Sequence, residues 1–149
     1  MANDLRFTDL VANAMMDALH TAFGNAGIFR VYADAGTPDI PAGEPAAGAS
    51  HGTLLAELTL NAAAFGDAAA SGAYSRITAG AITADSSANN AGTSVYWVLY
   101  DSAGTTAKAQ GTIGTSGCDA TIDNTLIAAG ANVSCSAGYF QLPKGWTTA

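Results

Sequence analysis

Charge is the scarcest thing in this sequence: Lys and Arg number 5, Asp and Glu 12, and charged residues are 11% of 149. The formal charge of −7 comes from missing Lys and Arg, not from an acidic tail. A phosphate backbone is held by clustered cations, whereas Arg6, Arg30, Arg76, Lys108 and Lys144 are scattered singly. Nucleic acid is therefore not an expected partner. Long hydrophobic runs are missing too, because much of the 49% hydrophobic content is Ala and no run approaches the ~18 apolar residues of a membrane helix. No membrane partner is expected. Met1 to Arg6 show neither the basic segment nor the apolar core of a secretory signal, so synthesis in a bacterial-type cytoplasm is expected.

The residues that carry chemistry are equally sparse. Glutamate occurs only at Glu44 and Glu57, histidine only at His20 and His51, and neither histidine has a second His, Cys or carboxylate at metal-ligand spacing. No metal is expected. There is no G-x-G-x-x-G fingerprint, no G-x-x-x-x-G-K-[ST] phosphate loop and no D-x-D-x-D-G calcium loop, so no cofactor is expected either. Cys118, His51 and Asp119 permit a catalytic set on paper, but nothing local supports it. Asp85, Asp101, Asp119 and Asp123 read as turn residues at strand ends. The expectation is a protein that is not an enzyme. Cys118 and Cys135, if bonded, would contribute about 3 kcal/mol, but a reducing compartment favours two free, small apolar side chains.

What is present reads as one helix followed by strands. From Thr8, the residues Val11, Met15, Ala18, Leu19 and Ala22 recur at helical spacing, and a second apolar set, Ala12, Met16, Leu19 and Phe23, widens the stripe. Thr8 is the expected N-cap, Asp9 suits the positive end of the dipole, and Gly24-Asn25 suits a left-handed end. A stripe this wide asks for burial against the chain's own sheet or a neighbouring subunit. Ile28 to Ala33 reads as a strand by its β-branched and aromatic content. Residues 34–52 then hold Pro38, Pro41 and Pro45, which predicts a long loop or an extended arm that orders on a partner.

Strands resume at Thr53 to Leu60, with Leu54, Ala56, Leu58 and Leu60 expected on one face. Further strands are expected over Tyr74 to Ala84, Thr93 to Asp101, Thr106 to Ile113, Ala120 to Ile122 and Asn132 to Leu142. Asp101 to Thr105 predicts a hairpin loop with Gly104 at positive φ. The predicted fold is mainly β: an antiparallel β-sandwich or jelly-roll-like domain preceded by one N-terminal amphipathic α-helix. Residues 1–149 form a single domain, with a helical segment over 1–27, the sandwich over 28–142 and a tail over 143–149.

Surfaces suited to packing are the candidate functional features. In one strand Val95, Trp97 and Leu99 share one face and Tyr96, Val98 and Tyr100 the other, so both faces need cover. The second cover is the Val11, Met15 and Leu19 helix face, a second copy of the chain, or an ordinary monomer interior. Trp146 on the tail is a candidate anchor, with folding back on its own domain the alternative. The candidate interface set is therefore Val11, Met15, Leu19, Pro38, Pro41, Tyr96, Tyr100 and Trp146.

The segments Gly52 to Asn61 with Ala64-Phe65-Gly66, Trp97 to Thr105, and Gly111 to Gly117 resemble a family of small tailed-bacteriophage structural proteins, over most of Ile28 to Leu142. The resemblance implies a virion component made in the host bacterial cytoplasm, similar to capsid decoration or cement proteins. Such a protein forms a homo-oligomer and partners the phage major capsid protein or another virion protein. A tail, head-to-tail connector or fibre-base protein is the alternative. A third is a glycan-binding adhesin stacking sugars on Tyr74, Tyr96, Trp97 or Trp146.

Overall fold

Residues 4–33, 52–135 and 138–147 are described by the structure, a computed structural model. The chain is mainly β with one N-terminal helix, a β-sandwich-like domain built on a curled, largely antiparallel sheet. In chain order the elements are β1 (Asp4–Arg6), α1 (Asp9–Phe23), β2 (Ile28–Ala33), β3 (Thr53–Leu60), β4 (Ala69–Ser71), β5 (Tyr74–Thr78) and β6 (Ile82–Thr83). There follow β7 (Gly92–Thr93), β8 (Tyr96–Tyr100), β9 (Ala107–Gly114), β10 (Ala120–Thr121), β11 (Leu126–Ile127), β12 (Tyr139–Pro143) and β13 (Gly145–Thr147).

The main sheet has six strands in the order β10-β9-β8-β2-β3-β6, and a three-stranded sheet, β12-β5-β4, faces its core. Only the β10–β9 pair is parallel among the described pairings. Asp101 explains the tight β8–β9 hairpin: its carbonyl accepts from Gly104 N–H at 3.0 Å, and its carboxylate accepts from Thr105 N–H at 2.9 Å and Thr106 N–H at 3.2 Å. Gly104 sits at φ 67°, as the turn requires.

Helix α1 begins and ends where its capping residues place it. Thr8 Oγ1 accepts from Val11 N–H at 3.4 Å, and Gly24, at φ 75°, donates its N–H to His20 O. The helix buries the Ala12, Met16 and Phe23 set, with Leu19 packed at its margin. Its polar neighbours on that flank decide the rotation. Asn13 Oδ1 accepts from the buried Ser75 hydroxyl at 2.7 Å, and Asp17 Oδ1 accepts from Ala68 N–H at 2.7 Å. Those partners would be lost if the Val11 and Met15 set turned inward.

The core joins the two sheets through aromatic rings. Phe23 of α1 lies 5.3 Å from Phe65 and 4.9 Å from Phe140 of β12, and Phe140 meets Trp97 of β8 edge-on at 6.3 Å. Phe29 stacks on Trp97 at 5.1 Å. Around them Val31, Leu55, Leu58 and Ile77 are fully or almost fully buried. Cys118 and Cys135 are free thiols.

The structure departs from the sequence expectations in five places. Thr93 to Asp101 is not one strand: Gly92–Thr93 pairs with β11, and Val95, which precedes β8 and lies outside its alternation, packs with Tyr96, Val98 and Tyr100 instead of sharing the Trp97 and Leu99 face. Leu54 does not share a face with Ala56, because Val31 pairs with Ala56 and Tyr32 with Leu54, which makes Leu55 a bulge. The alternation changes phase there, sending Leu54 to the opposite face and Leu55 into the core. Among the described residues of 132–142, strand begins at Tyr139, with Val133 forming an isolated bridge to Asp85. The 143–149 segment is not merely a tail, since Gly145–Thr147 pairs antiparallel with Asp4–Arg6, and that pairing also places a strand ahead of the helix in the 1–27 segment. Tyr74 to Ala84 divides into β5 and β6 around Gly80, which packs against the Ala63 carbonyl too closely for a Cβ.

Candidate functional site

The outward face of α1 is the first candidate surface. Rotation of the Ala12, Met16 and Phe23 set into the core leaves Leu10 81%, Val11 44% and Met15 45% exposed, with Ala14, Ala18 and Ala22 also exposed. The one charge beside this face between Asp9 and Thr21 is Asp17, two turns beyond Leu10 at its edge, with Oδ1 engaged by Ala68 N–H. Asp9, at its start, is paired with Lys144 Nζ at 2.8 Å. Three large apolar side chains and three alanines thus form one stripe. Of the candidate interface residues, Val11 and Met15 lie on it, while Leu19 is half-buried against the core.

Tyr96 and Tyr100 lie elsewhere. They are 1% and 3% exposed and belong to a second cluster with Tyr32 and Val98, on the face of the main sheet opposite the core. Tyr32 stacks on Tyr96 with ring centres 5.3 Å apart and planes 11° apart. The cover that β8 needs on its second face includes chain-internal packing, with Ile28, Leu54, Val95 and Ala107 against the cluster. Pro38 and Pro41 lie outside the described residues. Trp146 is in β13, its backbone paired with Leu5.

A cation is embedded in this second face. Arg30 donates from Nε to Glu57 Oε2 at 2.7 Å and from Nη1 to Gly104 O at 3.1 Å, and its guanidinium lies 4.6 Å from the centre of the Tyr100 ring. Burial works against its charge, but the hydrogen bond and field of Glu57 outweigh burial and raise its pKa. The Tyr32 hydroxyl is pushed far above the ordinary tyrosine range, first by burial and then by its hydrogen bond with Tyr100. Arg30 thus ties three elements, β2, β3 and the β8–β9 turn. Its geometry is that of a structural clasp.

On the small sheet, Arg76 lies 3.8 Å over the Tyr139 ring and donates from Nη2 to Gln141 Oε1 at 2.9 Å. Tyr139 and Tyr74 are 54% and 39% exposed, whereas Trp97, another aromatic considered for sugar stacking, is 5% exposed. Beside β12 an apolar crevice of about 610 Å³ opens between the two sheets, bordered by Phe29, Trp97 and Phe140, with Asp119 at its rim.

One cluster of titratable groups escaped the sequence. Asp17, His20 and Asp67 bring ligand atoms within 4.8 Å of one another, with His20 Nδ1 4.0 Å from Asp67 Oδ1. Asp67 comes from a distant loop, so local spacing around His20 held no sign of it. Its side chain is 97% exposed and one Asp17 oxygen is already engaged by Ala68, an arrangement common on protein surfaces without an ion. Asp119 is likewise occupied, accepting from Thr112 N–H and Oγ1 at 2.8 Å each, and His51 lies outside the described residues. Compared with family models, curated proteins and solved structures, the chain matches none of them.

Proposed function

We propose that this chain is a non-enzymatic virion protein of a tailed bacteriophage, a capsid decoration or cement protein that binds the outside of the head across neighbouring capsid subunits. It is made in the host bacterial cytoplasm and acts in the virion as a homo-oligomer. The observation that carries the reading is the outward stripe of α1, Leu10, Val11, Ala14, Met15 and Ala18, which leaves three large apolar side chains exposed together on one helix. Fully burying a large apolar side chain contributes about 1.5–3 kcal/mol, so three of them on one rigid helix are enough to matter in a repeated contact. The resemblance of the strand-and-turn segments to phage structural proteins supplies the partner, a capsid subunit.

The test is quantitative imaging and mass analysis of purified virions. A decoration protein is present in copy numbers comparable to the major capsid protein and lies on the outer shell. A stoichiometry of roughly six or twelve copies per particle would instead assign it to the connector or tail. Shells stripped of the protein should rebind it, and Leu10→Glu with Met15→Glu should abolish rebinding.

A further inference from the structure

β12 presents a free strand edge along its whole length among the described residues, pairing with β5 on one side and having no described strand on the other. The hydrogen-bonding phase of this pair is fixed at both ends. Ala79 N–H donates to Gly138 O at 2.7 Å, and Lys144 N–H donates to Ala73 O at 2.9 Å, so even-numbered residues of β12 turn their main-chain groups toward β5. The main-chain N–H and C=O of Tyr139 and Gln141, and the C=O of Pro143, therefore point to the open edge.

Natural edge strands are blunted by charge, bulges or shortness. β12 has five residues, Tyr-Phe-Gln-Leu-Pro, carries no charge and keeps an unbroken register with β5. The apolar crevice lies beside it, with Phe140 in its wall. An open row of main-chain groups requires an extended backbone, and an apolar crevice along the same line requires apolar side chains at alternate positions. β12 itself has that pattern. Phe140 and Leu142 face inward, and Tyr139, Gln141 and Pro143 face outward and exposed.

We propose that β12 is a self-association edge, pairing antiparallel with β12 of a second copy of this chain. A two-fold axis beside Gln141 sets Gln141 N–H against Gln141 C=O of the second copy in both directions, and Tyr139 N–H against the Pro143 C=O of the second copy. Pro143 has no N–H to offer, and the pairing ends there. The contact is isologous, as a two-fold dimer requires, and joins two three-stranded sheets into one continuous sheet. Local charge does not oppose a second copy at this edge, despite the net charge of −7. The outward side chains of β12 are neutral, and the nearest cation, Arg76, is held by Tyr139 and Gln141 of the same chain. This contact goes beyond the virion reading, because it requires only this chain and no capsid.

Sedimentation velocity from about 1 μM to about 1 mM should show a monomer–dimer equilibrium, which Gln141→Pro weakens by about tenfold or more. That substitution removes an outward N–H and the Oε1 that accepts from Arg76, but no main-chain bond between β12 and β5, so the β12–β5 ladder and the circular dichroism spectrum should persist. Hydrogen exchange on the unaltered protein gives a second measurement that involves no variant. The Tyr139 and Gln141 amides should become protected as concentration rises, in step with dimer formation. A monomer over the whole range, a dimer untouched by Gln141→Pro, or Tyr139 and Gln141 amides that exchange freely in the dimer would each overturn the proposal.

Discussion

Trp97 lies across Gly111 in the β8–β9 ladder, so close that a Cβ on Gly111 would come within 2.6 Å of the indole Cζ2. The glycine is there for space. Its absent side chain is filled by the ring, whose Nε1 donates to Thr112 O at 3.1 Å and whose opposite contacts reach Phe29 and Phe140. Gly111→Ala should therefore displace the ring that joins the two sheets and destabilise the fold by about 1–3 kcal/mol. Denaturant unfolding with near-ultraviolet circular dichroism checks this, and an unchanged midpoint and aromatic spectrum would contradict it.

Asp101 ties stability to acid. The Thr105 and Thr106 N–H groups hold its carboxyl down to about 2, from an ordinary value of 3.8. A depressed folded-state pKa means that its contribution is complete above pH 3.8 and is lost as pH falls toward 2. Asp101→Asn should lower the melting temperature at neutral pH, and the gap to the unaltered protein should narrow over that window. Melting curves at a series of pH values measure it, and a gap constant through the window would refute the assignment.

Tyr32 gives the opposite sign at the alkaline end. Burial and the Tyr100 hydrogen bond raise its folded pKa above the ordinary value of 10.0, so the stability it contributes is complete below that pH and is lost as pH rises further. Spectrophotometric titration should show tyrosine ionisation that occurs only as the protein unfolds, and Tyr32→Phe should diminish that late step. If all five tyrosines of the chain ionise reversibly in the folded state, the buried cluster is not closed as described.

Charge on the outward helix face should separate binding from folding. Leu10 and Met15 are 81% and 45% exposed, so Leu10→Glu and Met15→Glu should change unfolding free energy by no more than about 0.5 kcal/mol each. Both should nonetheless impair association with capsid shells. Parallel melting and shell-rebinding assays decide this, and intact rebinding by the double variant would move the contact off α1.

Much of the fold was legible because local chemistry matched it. The bounds of Ile28–Ala33 and Thr53–Leu60 follow from their composition, the caps of α1 from Thr8 and Gly24, and the β8–β9 hairpin from Asp101 and Gly104. The illegible parts depended on distant partners. The Leu55 bulge leaves no mark in an alternating Leu and Ala pattern, and the β1–β13 pairing joins segments each too short to declare themselves. For the candidate surface, periodicity offered two apolar faces on α1 and could not rank them. The choice was made by Ser75 and Ala68, which satisfy Asn13 and Asp17 from far along the chain.

The pairing of Asp4–Arg6 with Gly145–Thr147, and the Lys144–Asp9 ion pair spanning 135 positions, also set a timetable for the protein. A ribosome adds roughly 5–20 residues per second, so α1 waits seconds for the β5 and β12 segments that cover its inner face. Until then both of its apolar sides are open at once. The growing chain is therefore at its stickiest before β12 arrives, and only after that does α1 present a single side to a partner.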